Sequence, residues 1–477
     1  MKKSFLSGML AVMMAATLLA GCGGSAGQKE TKAPETQAAE TQAATEAAQS
    51  EGGAEAAEGL VGQDEGAVLN IHGWNEEFKS RVAAYYPGYE EVDANTGKIG
   101  NVTVKWTITP STDNAYQNEL DSSLPNNAAA AADDKVDMFV CDADYVVKYV
   151  QSEYTASIAD LGIDEAELAN QYQYTIDVGT DQNGTIKGLS WQACPGVLIY
   201  NRAIAKEVLG SDDPATVQEA VKDWDAFNAT AAKLKEAGYT ITSGADDLYR
   251  VFNDNASQPC VVDGKIVIDD QTKAWVDEAK MLVDGGMTNT YSLWGDEWNK
   301  GFFPNTENKP FCYFGPAWLI DFCMAADDAS SIAANGGWGA VEGPMGFSWG
   351  GTWILGAADT DNPTLVGDIM RVLTTNDETM KQIVVDVNDF ANNKPVMNEM
   401  AQDPNYSDAV LGGQNALPMF CAGAEKISKS NLTIYDQGYT EEIQKAMKNY
   451  FEGNATYEEA LEQFYKAMIE KYPELTH

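Results

Sequence analysis

Eleven tryptophans and 72 acidic side chains stand against two histidines in this chain of 477 residues, and that imbalance narrows the chemistry at once. The histidines are His72 and the terminal His477. A nucleophile–histidine device would have to use His72, because a terminal residue is rarely held in place. Histidine-rich metal centres are excluded. Of the seven cysteines, none forms a CxxC pair or a zinc spacing. Apart from Cys22 they are Cys141, Cys194, Cys260, Cys312, Cys323 and Cys421. Their even number would allow bridges in an oxidising compartment, with Cys312 and Cys323 the closest pair, but buried free thiols are the favoured reading. The acidic runs Asp133-Asp134 to Asp137 and Asp181-Gln-Asn183-Gly184 lack the distant glutamate that completes a calcium loop, so they read as solvated turns. No cofactor and no metal is expected.

What remains is the chemistry of binding. An indole face covers apolar C–H surface, while carboxylates and amides pair with hydroxyls in charge-assisted or neutral hydrogen bonds. The elements that must position such groups can be read from periodicity. Val68 to His72 reads as a short buried strand. Val102, Val104, Trp106 and Ile108 alternate as a half-buried strand does, and Tyr116, Leu120 and Leu124 recur at helical spacing. Val136 to Cys141 is another short apolar strand. This order predicts a parallel α/β layer, whose ligands favour the carboxyl ends of the strands. Gly73-Trp74-Asn75 and Asp142-Ala-Asp144-Tyr145 sit at two such ends, with Asp142 also suited to capping a helix.

Further along, Trp224, Phe227, Ala231 and Leu234 form a helical stripe between Asp223 as N-cap and Gly238 as stop. Asp263-Gly264 between two apolar pairs is a hairpin signal. Thr456 and Glu459 have capping-box spacing ahead of Tyr457, Leu461, Phe464 and Met468. Gly336 to Gly356 mixes glycines with Trp338, Trp349 and Trp353, as a ligand loop or a hinge would. Strand alternation would put Trp349 and Trp353 on one face. Trp224, Trp275 and Trp298 read as core, and Trp294 as a rim contact.

The N-terminus is of another kind. Lys2 and Lys3 precede an uncharged apolar stretch from Phe5 to Leu19, and Leu19-Ala20-Gly21-Cys22 follows, which resembles the bacterial lipobox. The expectation is a lipoprotein signal peptide over 1–21, a lipidated Cys22 and a disordered tether over 22–66, rich in Ala, Glu, Gln and Thr. Phe311 to Ala326 is the best other apolar stretch, but Gly315-Pro316 and Asp321 break it as a membrane span. The net charge of −41 repels nucleic acid.

Five segments in order carry a resemblance to a known family. They are Gly73-Trp74-Asn75 after the first strand; Asp137-Met-Phe-Val; Gly188-Leu-Ser-Trp191 with Leu198-Ile-Tyr200-Asn201-Arg202; Asp223-Trp224-Asp225-Ala-Phe227 with Leu234 and Gly238; and Trp298-Asn-Lys300-Gly301 with Phe311 to Trp318. The folded part resembles the maltose-binding-protein-like, family 1 extracellular solute-binding proteins of carbohydrate ABC importers. It departs from them at Asn305-Thr-Glu-Asn and at Cys194-Pro195. The resemblance implies an α/β, two-lobed periplasmic-binding-protein-like fold of type II with the ligand cleft between lobes. Residues 67–187 and about 346–390 would form the N-terminal lobe, and 188–345 with about 391–477 the C-terminal lobe. It implies a non-catalytic monomer, anchored to the bacterial cell membrane by lipid alone. Its partners would be a carbohydrate, with an oligosaccharide favoured, and permease subunits. The ligand residues on this reading are Trp74, Asn75, Asp144, Tyr145, Trp191, Trp318, Trp349 and Trp353. The alternatives are a polyamine or peptide binder of the same fold and, less favoured, a secreted glycosidase using two carboxylates.

Overall fold

The computed structural model describes residues 64–477. The signal peptide, Cys22 and most of the expected tether lie outside the described residues.

Twelve strands are present among the described residues: β1 (Val68–Gly73), β2 (Tyr89–Asp93), β3 (Thr96–Ile99), β4 (Val102–Ile108), β5 (Met138–Asp142), β6 (Gly188–Ser190), β7 (Val197–Asn201), β8 (Val261–Val262), β9 (Lys265–Ile266), β10 (Cys312–Gly315), β11 (Trp338–Val341) and β12 (Thr352–Gly356). Seven form one sheet in the order β2-β3-β4-β1-β5-β12-β6, and three form another in the order β10-β7-β11. In the larger sheet β1 runs parallel to β4 and β5, as the strand–helix–strand pattern predicts. β12 departs from it by inserting antiparallel between β5 and β6. The sheet is therefore mixed.

Both faces of the large sheet are covered, which is why β5 and β12 read as continuous apolar runs rather than alternating ones. One face takes Phe139, Cys141, Trp353 and Leu355 against Tyr116, Leu120 and Tyr149. The other takes Leu69, Ile71, Met138, Val140 and Ile354 together with Phe78 and Val82 of the helix Glu77–Tyr85. Around the small sheet, Trp224 stacks on Phe252 at 4.5 Å and tilts toward Phe314 at 6.5 Å.

Locally signalled elements form where expected. Asp223 accepts a hydrogen bond from the Ala226 N–H and opens the helix Trp224–Glu236. Asp263 and Gly264 both take positive φ between β8 and β9, as a two-residue turn requires. Thr456 and Glu459 close a reciprocal capping box.

Gly188–Ser190 pairs with β12, so the chain leaves the large sheet only after Ser190. The carboxylate of Asp64 accepts from the N–H groups of Thr364 (3.1 Å) and Leu365 (2.9 Å), and the Gly66 N–H donates to the Asp361 carbonyl. The helix Pro363–Thr374 has no side-chain cap of its own, and Asp64 supplies one from 300 residues away.

Phe311 to Ala326 resolves into β10 and a short π-helix over Leu319–Cys323, and no described helix is long and apolar enough to cross a membrane. All six described cysteines are free thiols.

Candidate functional site

Three passages connect the region of the large sheet to that of the small one. Residues 191–193 run beside 390–392, with Ala193 N–H donating to Phe390 O and Asn392 N–H to Trp191 O. The third is 342–351, between β11 and β12. Gly350 and Gly351 have φ of 69° and 109° there. A side chain on Gly350 would meet the Trp318 ring at 3.1 Å, and one on Gly351 the Cys194 sulfur at 3.3 Å. Glycine is required for both the backbone and the close approach.

The first and the third of these passages, through Ala193 and through Ser348 to Gly350, border a cavity of about 90 Å³. Asp144 reaches it from the turn after β5. Arg250 comes from the short helix Tyr249–Asn253, and Lys429 from the segment before the helix Asp436–Phe451. The Arg250 guanidinium forks onto the Asp144 carboxylate, Nη1 to Oδ1 at 2.5 Å and Nη2 to Oδ2 at 2.6 Å. Lys429 pairs with Asp254. Asp254 in turn accepts from the Ser348 N–H at 2.7 Å and Oγ at 3.0 Å, which fixes the loop carrying Trp349.

The charges follow from this pairing. Burial would raise the Asp144 carboxyl, but Arg250, with Lys429 behind it, outweighs burial and holds it below the usual range. Burial also works against the Arg250 charge, and Asp144 overcomes it. At Asp142 burial, and then Asp144, push the carboxyl up to about 7, with the Asp144 N–H and Arg250 opposing. Asp436 is raised to about 6 by burial, with the Thr433 hydrogen bonds opposing.

Beside the fork stands a group of indoles. Trp349 lies 5.0 Å from Trp318 and 5.5 Å from Trp294, and Trp294 and Trp318 are stacked at 6.2 Å. Trp294 is 46% exposed and held at positive φ, an unusual conformation for a bulky side chain. The Trp318 Nε1 is buried with no protein partner.

The eight residues expected to touch a ligand therefore divide. Asp144, Trp349 and Trp353 line the cavity, and Trp318 packs against Trp349. Trp349 and Trp353 do not share a strand face, because the two left-handed glycines end the strand at Thr352. Trp353 turns into the core, where its Nε1 donates to the Thr175 carbonyl at 3.0 Å. Trp74 and Tyr145 form a second aromatic group with Tyr116, and the buried Tyr145 hydroxyl is unpartnered. Asn75 accepts from the Glu77 N–H at 2.9 Å and so caps the helix Glu77–Tyr85. Trp191 does not line the cavity. It is wholly buried and stacks on Phe78 at 5.9 Å. Asp142 accepts from the Asp144 N–H and caps a turn rather than a helix.

Arg250, Lys429 and Asp254 were not anticipated. Arg250 had one legible signal, a lone cation inside the apolar run Leu248-Tyr-Arg-Val-Phe252, since arginine is almost never buried without a partner.

Residues 90–411 match the family model described as bacterial extracellular solute-binding protein. The chain belongs to that family. No curated protein matches it. Among solved structures, an extracellular solute-binding protein of family 1 aligns with a TM-score of 0.66 at 18% identity, over 84% of this chain and 100% of that one. An ABC-transporter-associated binding protein of B. animalis subsp. lactis Bl-04, in complex with β-1,6-galactobiose, aligns at 0.64 with 17% identity, over 86% and 99%. The galacto-N-biose/lacto-N-biose I-binding protein of Bifidobacterium longum, in complex with lacto-N-biose, aligns at 0.63 with 15% identity, over 86% and 98%. At these identities the likeness is one of fold, and the fold is the two-lobed one expected of a solute-binding protein.

Proposed function

We propose that this solute-binding protein captures a carbohydrate, with an oligosaccharide favoured, and delivers it to the permease subunits of an ABC-type importer. It does so without catalysis, as a monomer held at the outer face of the cell membrane by lipid on Cys22. The large sheet with residues to about 190 and about 346–390 would form one lobe, and the small sheet with the C-terminal helices the other.

The observation that carries the ligand class is the juxtaposition of the Trp294–Trp318–Trp349 group with the Asp144–Arg250 fork. Indole faces suit the C–H surface of a pyranose. A carboxylate and a guanidinium side by side offer acceptors and donors to adjacent hydroxyls. The rival reading, a polyamine or other cation, is disfavoured by the same geometry. The Arg250 guanidinium already lies over the Trp349 ring at 5.9 Å, and its charge would repel a cation placed beside it.

A thermal-shift screen of sugars, polyamines and peptides tests this, followed by calorimetric titration of the best hit. A saturating sugar at a hundredfold excess over its Kd should stabilise the fold by about 2.7 kcal/mol. A shift with polyamines alone would transfer the assignment to the rival. Product release exceeding one equivalent per protein would make it an enzyme. For the anchor, Cys22→Ala should move the protein from the membrane fraction to the medium.

A further inference from the structure

We propose that Asp144 and Arg250 form a latch that holds the cleft shut before any ligand arrives. This rests on the reading of the cavity as the ligand cleft. The two side chains are 106 positions apart and belong to different regions of the fold. Asp144 follows β5 at the centre of the large sheet. Arg250 is carried by the helix Tyr249–Asn253, whose Phe252 stacks on Trp224 in the layer around the small sheet.

The contact has the geometry of a designed pair. Both guanidinium nitrogens meet both carboxylate oxygens, an arrangement that fixes orientation as well as distance. Lys429 lies close enough to act on the same carboxylate. A second link crosses in the same sense: Gln437, on the helix Asp436–Phe451, donates to the Asn114 side chain at 3.0 Å. Asn114 immediately precedes the helix Ala115–Ser123, which covers the large sheet.

Such a latch is strong in one sense and weak in another. Removing either partner leaves the other charge without its forked partner in a half-buried site, and opening returns that charge to water. Both side chains keep part of their exposure in the closed state, so opening the intact pair restores only part of their hydration and offsets part, not all, of the lost attraction. The ligand-free protein would therefore rest closed yet open readily, and a ligand would enter by exchanging its own hydroxyls for the ion pair.

The test is small-angle scattering on ligand-free protein, comparing wild type with Asp144→Asn and Arg250→Gln, each checked for folding by near-ultraviolet circular dichroism. The expected result is a compact wild type and a shift of both variants to a larger radius of gyration. If one variant fails to fold, the other decides. A wild type as expanded as the variants, or variants as compact as the wild type, would overturn the latch. Neither result touches the sugar assignment, because no ligand is present. Conversely, a screen that finds no sugar would leave the scattering result standing.

Discussion

The guanidinium carbon of Arg250 lies 5.9 Å from the centre of the Trp349 ring. Arginine and indole thus line one cavity together, with Trp349 only 8% exposed, and on the carbohydrate reading Trp349 is the stacking platform. Trp349→Ala should weaken the best sugar by about 1–3 kcal/mol, by analogy with aromatic stacking on other flat faces. Isothermal titration with a circular dichroism control reads this out. Unchanged affinity in a folded variant would place the stacking surface elsewhere.

Trp191 should behave in the opposite way. It is wholly buried and stacked on Phe78. Trp191→Ala removes a large core side chain and should destabilise the fold by about 3–5 kcal/mol. Urea titration would show a lowered midpoint. Loss of sugar affinity with no loss of stability would return Trp191 to the ligand.

Asp64→Ala should cost about 1 kcal/mol, the usual loss for an N-cap, although the cap lies 300 positions from its helix. The same titration measures it. Hydrogen exchange should quicken at Thr364 and Leu365, whose N–H groups it satisfies.

Stability should fall between mildly acidic and mildly alkaline pH. Asp247 is buried, accepts from the Trp298 Nε1 at 2.6 Å and the Gly244 N–H at 2.8 Å, and burial pushes its carboxyl up to about 7. The unfolded carboxyl titrates near roughly 3.9. Between these values the folded state binds the extra proton. The contribution is therefore fully present below about pH 4 and is lost as pH rises through 7. Glu77 and Asp246, each raised to about 6 chiefly by burial, act in the same direction. Asp144 and Glu167, held below the usual range, act oppositely and set the acid limb. The Tm at pH 5 should exceed that at pH 8, and Asp247→Asn should flatten the slope while lowering the plateau. An unchanged slope would rule Asp247 out as a source.

The sequence makes legible what neighbours in the chain decide. Asp223 and Gly238 bracket a helix, Asp263-Gly264 turns a hairpin, and Thr456 with Glu459 caps a terminus, because each device acts over one to fifteen or so residues. The segment around Trp353 read as a glycine-rich loop or hinge, and its place between β5 and β6 was not legible, since pairing with strands far back in the chain leaves no local trace. The tryptophans show the limit most clearly. Trp191, Trp349 and Trp353 look alike in composition and context. What separates them is which is stacked on Phe78, which is bent away by two left-handed glycines, and which is hydrogen-bonded into the core. Arg250 was missed for the same reason: its partner lies on another element.

The docking of Asp64 beside the start of β1 has a mechanical consequence. A pull on the N-terminal end of the described chain would first test the Asp64 contacts with Thr364 and Leu365. The load would then pass to β1, which runs parallel between β4 and β5 over residues 68–73. Tension along that strand loads its hydrogen bonds together, in shear, instead of peeling them one by one from an edge. Such a pull would be carried by β1, the middle strand of the seven, before it reached the passages at 191–196 and 342–351.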